Sequence, residues 1–318
     1  MRGLCLEDQK LILRDKLPMP TLERDEALIK VRMAGICSTD LELVRGYYPY
    51  WGILGHEFVG EVIEAPNNES WIGERVVGEI TIYCGHCEAC MNGRTSHCER
   101  RRTLGISDYN GVFADYVKLP VRNLWLVPKN VEDERAVITE LLAAALEIQQ
   151  QIHIKPTDRV IVVGAGRLGL LVAQCLGLTG CDLKVVIRRP EPGKLLEKFG
   201  IEAVYAKALQ EHNADIVVEV TGSAEGFALS RSLVRPGGTL VLKSTFAGDA
   251  AVNLSSLVVD EIRLIGSRCG PFGPALNLLE NNKVDVLPLI SGVFPLHEGI
   301  KAMEAAAQPG TLKVLLKP

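Results

Sequence analysis

The stretch RVIVVGAGRLG, residues 159–169, narrows the fold more than any other part of this chain. A β-branched run reads as a strand. It leads directly into Gly164, Gly166 and Gly169, spaced G-x-G-x-x-G, and then into an apolar helical run. Gly164 permits the tight turn, Gly166 lets backbone approach a pyrophosphate, and Gly169 lets the helix pack on the strand. Arg167 and Leu168 lie between the last two glycines, at a helix N-terminus whose free amides and dipole favour phosphate. The same rhythm continues downstream as strand KVVIRR, helix GKLLEKFG, strand DIVVEVTG, helix AEGFALSRSLVRPGG, strand TLVLKST and a last strand EIRLIGSR. Alternation at this pitch predicts an α/β unit, a doubly wound parallel sheet with right-handed crossovers. Thr221, at the end of DIVVEVTG, joins the dinucleotide-binding candidates.

The second strand of this unit ends VVIRRPEPG, with Arg188 and Arg189 where an NAD-binding protein places an acid for the ribose 2′-hydroxyl. A carboxylate repels a 2′-phosphate, whereas guanidinium grips it in bidentate fashion, so the expected dinucleotide is NADP. Pro190 and Pro192 are expected to stiffen the turn that presents the two arginines.

The segment YCGHCEACMNGRTSHC holds four of the nine cysteines within residues 84–98. Thiolates three residues apart in a tight turn converge on one tetrahedral ion, and Gly85 allows that turn. Cys84, Cys87, Cys90 and Cys98 thus form a candidate zinc cage. Four sulfur ligands leave no vacant position, so such a site is structural. An iron–sulfur cluster is the competing reading, but the short closing gap and following proline of the ferredoxin run are absent. His86 and His97 flank the cage and are read as solvent-facing bystanders.

The first ~125 residues read as an all-β unit, with the strands ALIKVRMAGIC, FVGEVIEA, RVVGEI and FADYVKLP separated by Gly and Pro. The run DERAVITELLAAALEIQQQ reads as a helix. The tail after residue 268 reads as helical with two extended stretches. A catalytic zinc needs three protein ligands and one vacant position. Candidates are Cys37 in GICSTD, His56 and Glu57 in GHE, and Glu140 in ELLAAAL, each unremarkable alone.

Together, GICSTD, GHEFVGEV, the four-cysteine lobe and IVVGAGRLG follow the order and approximate spacing of the zinc-containing medium-chain dehydrogenases. The chain resembles that family over nearly its whole length, and most closely the branch of sorbitol and threonine dehydrogenases. The resemblance implies a GroES-like β-rich catalytic domain over residues 1–142, carrying the zinc lobe. It further implies a Rossmann domain over 143–268 and a C-terminal segment, 269–318, that returns to the catalytic domain. It gives Cys37, His56 and Glu140 as ligands of a catalytic zinc, with Glu57 behind the metal. The branch carries its glutamate in an EP pair, which here reads EL. Asp40 is implied to hold the imidazole of His56, and Thr39 to bond the substrate oxygen and take its proton. Many relatives end that relay with a histidine five residues after the cysteine, where this chain has Glu42. The implied chemistry is reversible hydride transfer between an alcohol or polyol and NAD(P), with two zinc ions per chain and a homodimeric or homotetrameric assembly.

At 318 residues two domains are expected, and 47% hydrophobic with 23% charged residues describes a globular chain. A net charge of −4 gives no footprint for nucleic acid or for anionic membranes. Glu7, Asp8 and Lys10 interrupt the N-terminus before any apolar core, so no signal peptide is expected. Arg167 and five glycines break up the longest apolar run, so it is not expected to span a membrane. A cytoplasmic location follows, where thiols stay reduced. The partner expected is a small alcohol or carbonyl compound. Tyr47, Tyr48, Tyr50 and Trp51, between Cys37 and His56, are candidates to line its pocket. Two other readings compete: a zinc-free quinone or enoyl reductase of the same fold, and a non-catalytic nucleotide-binding redox sensor. The first lacks the metal-ligand sets, and the second has no use for a proton relay.

Overall fold

The computed structural model describes residues 1–245 and 248–318. The chain divides into two compact units, Met1–Glu140 with Ala275–Pro318, and Leu141–Pro274.

The first unit is built on a seven-stranded sheet whose axis is the long strand Glu26–Ile36. One edge of that strand pairs antiparallel with Glu57–Glu64. Its other edge is shared, the first half pairing with Tyr116–Pro120 and the last residues with the C-terminal strand Lys313–Lys317. Ile290–Pro295 lies beyond the latter, in parallel. The Glu26–Ile36 strand is buried at nearly every position, and Ile29, Ile36, Leu54, Phe113 and Leu119 pack fully inside. Burial at this level stabilises by roughly 1.5–3 kcal/mol per large aliphatic or aromatic side chain, and it fixes the strand ends that carry the site.

The second unit is a six-stranded, wholly parallel sheet. Its spatial order is Glu202–Val204, Asp182–Val186, Arg159–Val163, Ala214–Glu219, Val234–Leu242, Arg263–Gly266. The order of travel reverses between Arg159–Val163 and Ala214–Glu219, which opens a crevice at the carboxyl ends of those strands. Ile161, Val163, Val217 and Leu240 fill the core below it.

Three expected boundaries shift. The helix expected to run to Gly238 ends at Leu233, and the strand Val234–Leu242 begins at once. Pro236 cannot continue a helix, and Gly237 takes φ +70°. The arginine-bearing turn is shorter than expected. Arg189 is the N-cap and Pro190 the first residue of the helix Pro190–Lys198, where a missing N–H costs nothing. The helix expected across residues 133–151 is interrupted between Asp133–Ala136 and Thr139–Gln151, where the Thr139 hydroxyl bonds the Ala136 carbonyl at 2.7 Å. No helix among the described residues is long and apolar enough to cross a membrane.

Candidate active site

Three strand ends of the first unit meet at one buried point. Gly35 pairs with Glu57, and Ile36 pairs with Val314. Immediately after Ile36, Cys37 is the N-cap of the short helix Ser38–Val44, and Asp40 returns from that helix to accept the Cys37 amide at 2.8 Å. This capping contact holds the cysteine, the first turn and the acid as one rigid group. His56 and Glu57 open the neighbouring strand. The ligand atoms of Cys37, His56 and Glu57 all lie within 4.8 Å of one another.

Asp40 Oδ1 faces His56 Nδ1 at 3.3 Å, and neither buried atom has another hydrogen-bond partner among the described residues. A proton on Nδ1 aimed at Asp40 leaves Nε2 as the nitrogen free to bind a metal. Burial works against a charged His56, yet the Asp40 carboxylate and Cys37 outweigh it and hold the imidazole pKa well above its ordinary value. A cysteine sulfur and an imidazole oriented by a buried acid are donor types of an open zinc site, and Cys37 and His56 fit that ion. Thr39 places its hydroxyl 3.8 Å from the Cys37 sulfur. Glu42 is ion-paired with Arg45 at 2.6 Å on the helix surface. Glu140 sits half-buried in the first turn of the helix Thr139–Gln151 and is not part of the Cys37–His56–Glu57 group.

Glu57 is fully buried and both its oxygens are bound by Lys313 Nζ, at 2.8 and 2.5 Å. Lys313 is itself 1% exposed and also donates to the Ile36 carbonyl at 3.2 Å. Gly35 makes room, since a Cβ there would stand 2.5 Å from Glu57 Oε2. Sequence reading overlooked Lys313. Its only signal is a lysine opening the apolar C-terminal run KVLLK, 256 residues from its partner.

The four-cysteine lobe is compact. Sulfur separations are 3.4 Å for Cys87–Cys90, 3.6 Å for Cys84–Cys98, 3.9 Å for Cys87–Cys98 and 4.0 Å for Cys84–Cys90. A tetrahedral ion with Zn–S near 2.3 Å requires about 3.8 Å between sulfurs, so the cage fits zinc. Gly85 adopts φ +83°, and the amides of Cys84, Cys87 and Arg100 point at cage sulfurs. Backbone amides of Cys90 and Glu99 hold the Cys87 thiol down to about 6, while burial and the neighbouring thiols push Cys90 up to about 12. His86 is exposed and bonds the Cys84 carbonyl at 3.0 Å, and the exposed His97 lies 3.1 Å from Ser96 Oγ.

In the second unit, Gly164 takes φ +116° after the strand, and Gly166 N-caps the helix Arg167–Gly177. A Cβ on Gly169 would meet the Gly164 carbonyl at 2.1 Å, whereas one on Gly166 would meet nothing within 4 Å among the described residues. The turn is thus closed beneath and open above, as a phosphate cradle requires. Arg167 and Leu168 are half-buried in the helix's first turn, Thr221 packs beside Gly164, and Arg188 and Arg189 are exposed after the neighbouring strand. Among the candidate pocket aromatics, Tyr47, Tyr48 and Trp51 are exposed, while the Tyr50 hydroxyl turns to the Ile53 carbonyl at 2.5 Å.

Comparison with known proteins shows the family. Residues 23–129 match the alcohol dehydrogenase GroES-like domain, and residues 168–281 match the zinc-binding dehydrogenase domain. The chain is 30% identical over 323 residues to the sorbitol dehydrogenase of Halalkalibacterium halodurans, covering 95% of this chain and 94% of that one. It is 36% identical over 254 residues to the L-threonine 3-dehydrogenase of Chelativorans sp., covering 72% of each. The chain belongs to the zinc-type medium-chain dehydrogenases. A Sinorhizobium meliloti structure assigned to the zinc-binding dehydrogenases and solved with NADP superposes with a TM-score of 0.91, at 28% identity, covering 100% of this chain and 99% of that one. As a zinc-type dehydrogenase the chain is an oxidoreductase of small molecules working with zinc and NAD(P).

In this dehydrogenase the Glu57–Lys313 pair is a stability element as well as a wall of the site. Replacing Lys313 by Met leaves a buried carboxylate uncompensated and is expected to cost roughly 3–5 kcal/mol. Adding Glu57→Gln in the same chain is expected to restore most of that loss. Urea denaturation of the two single variants and the double variant measures the coupling, and additive losses would show that the pair contributes nothing of its own.

Proposed function

We propose that this chain is a zinc-dependent alcohol or polyol dehydrogenase with a catalytic and a structural zinc per chain and a preference for NADP. The observation that carries the reading is the group of half-buried Cys37 with buried His56 and Glu57, and Asp40 behind the imidazole. In it Cys37 and His56 bind the catalytic metal, and Glu140 supplies the third ligand by the family pattern. Glu57, whose oxygens are already engaged by Lys313, stands behind the site. When bound, zinc supplies Lewis acidity toward the substrate oxygen and the coenzyme supplies or accepts a hydride. The chain's own residues do the remainder. Asp40 keeps the proton on Nδ1 of His56, so the ring stays oriented. Thr39 bonds the substrate hydroxyl and takes its proton, passing it outward toward Glu42 and solvent. Cys84, Cys87, Cys90 and Cys98 hold the second, closed zinc and organise a lobe with little apolar content of its own.

The substrate class follows the relatives. Sorbitol and D-arabinitol dehydrogenases are among them, at 30% identity each, and the exposed Tyr47, Tyr48 and Trp51 suit a polyhydroxylated carbon chain. Coenzyme choice follows Arg188 and Arg189, with Gly164, Gly166, Arg167, Leu168, Gly169 and Thr221 around the pyrophosphate and ribose. The strand Arg263–Gly266 is an edge of the six-stranded sheet, with Leu264 on it and Leu254, Val258 and Val259 on the preceding helix all exposed. An uncovered apolar edge of this kind calls for a partner, and a second copy of the chain is the one proposed, in the cytoplasm.

Four measurements test this reading. Cys37→Ser and His56→Ala are each expected to abolish turnover of a polyol panel and to lower bound zinc from about two to about one per chain. Cys98→Ser is expected instead to lower the melting temperature, and near-normal activity in either of the first two variants refutes the ligand assignment. Arg188→Asp is expected to move the NADP-to-NAD ratio of kcat/KM by about ten- to a thousandfold toward NAD, mostly through KM. A wild-type enzyme that prefers NAD, indifferent to that change, would make the arginines surface decoration. Light scattering at micromolar concentration is expected to give a dimer or tetramer, and a monomer contradicts the proposed pairing of this edge.

A further inference from the structure

Glu219 ends the strand Ala214–Glu219, in register with Val163 on one side and Leu242 on the other. It therefore stands at the reversal point of the sheet, beside the residue that leads into Gly164. Its carboxylate is buried at 3% exposure, and no Lys, Arg or His among the described residues lies within ion-pair distance. Neutral donors satisfy it instead. Oε1 accepts from the Thr221 amide at 2.6 Å and the Thr221 hydroxyl at 2.5 Å, and Oε2 accepts from Ser244 Oγ at 2.6 Å. The network extends one step further. Ser244 Oγ accepts the Gly222 amide at 2.8 Å, and Ser223 Oγ accepts the Gly226 amide at 3.0 Å while standing 3.0 Å from Thr221 Oγ1.

A carboxylate only accepts, so it sets the direction of every hydroxyl that faces it. Thr221 and Ser244 must spend their protons on Glu219. Ser244 Oγ, with the Gly222 amide on one lone pair, keeps the other for a ligand, while the Thr221 hydroxyl lies against Ser223 and Gly226. The turn Thr221–Ser223 and the end of the Val234–Leu242 strand, two separate segments, hang on this one anion. Thr221 also brings its methyl within 3.0 Å of where a Gly164 Cβ would be, so the same network bears on the phosphate turn. Glutamine could fill the same space, but its amide nitrogen would donate to Ser244 and release that hydroxyl's proton.

We propose that Glu219 is a positioning residue for the coenzyme, holding the turn Thr221–Ser223 in place and the Ser244 hydroxyl as a hydrogen-bond acceptor for a ribose hydroxyl of the dinucleotide. The ribose concerned is the one on the nicotinamide side. Arg188 and Arg189 follow the strand Asp182–Val186 and mark the adenosine side, and Glu219 lies across the reversal point from them. This rests on the dehydrogenase reading given above, because it presumes that a dinucleotide occupies the crevice.

The test is Glu219→Gln in the full-length enzyme, with coenzyme affinity, steady-state constants and melting temperature measured together. Expected are a Kd and KM for NADP raised about tenfold, the scale of one hydrogen bond, a kcat within about threefold of wild type, and a melting temperature within a few degrees. Ser244→Ala is expected to raise KM about threefold, and adding it to Glu219→Gln to raise KM no further than Glu219→Gln alone, since both remove the same oriented hydroxyl. Unchanged Kd in Glu219→Gln, or fully additive losses, overturns the proposal. Should that variant fail to fold, Ser244→Ala takes its place, with KM raised about threefold at intact stability; an unaltered KM overturns it equally. A wild-type protein that bound neither NADP nor NAD would overturn the dehydrogenase reading itself, which is a different result from bound coenzyme indifferent to Glu219.

Discussion

The buried ion pair of Glu57 and Lys313 is the constraint on which the first unit turns. Two full charges at 0% and 1% exposure have given up their hydration, and only close mutual contact plus the Ile36 carbonyl offsets that loss. The geometry tolerates little error, so three strands must end in register for it to form. Those strands are Glu26–Ile36, Glu57–Glu64 and Lys313–Lys317, drawn from the beginning and the end of the chain. Cys37 follows the first and His56 precedes the second. The candidate metal ligands inherit their spacing from a requirement of folding.

The two cysteine-bearing sites show how a shared ligand chemistry serves two ends. In the lobe, four sulfurs at tetrahedral separations close on one point, and amides from a glycine-bearing turn stabilise the thiolates. Four thiolates on one ion would leave no position open, so the role proposed for that ion is structural. At Cys37 there is one sulfur, one imidazole and carboxylates, and the buried acid behind the ring is occupied with orientation. In the proposed dehydrogenase a group so arranged would keep one side for a reactant.

The second unit repeats the theme with opposite electrostatics. Glu219 is also a buried carboxylate at a strand end, but it is satisfied by hydroxyls and amides where Glu57 has a cation. An ammonium neutralises and locks. Neutral donors leave the charge in place and pass their polarity outward, which is of use beside a ligand that carries hydroxyls of its own.

Much of this is legible in the amino-acid sequence itself. The parallel sheet, the phosphate turn and the cysteine cage depend on short-range spacing: glycines three and two residues apart, cysteines three apart, β-branched runs between turn residues. Their physics is local, so residues near in sequence are near in space. Boundaries shifted where a local rule outranked a pattern, as at Pro190, whose missing N–H suits the first helical position, and at Thr139, whose hydroxyl interrupts a helix. The companionship of Cys37, His56 and Glu57 was suggested only by family likeness. What the tertiary structure alone decided is which groups answer a buried charge. Lys313 for Glu57, and Thr221 with Ser244 for Glu219, depend on strand register across long stretches of chain, and register is set by the packing of the whole sheet.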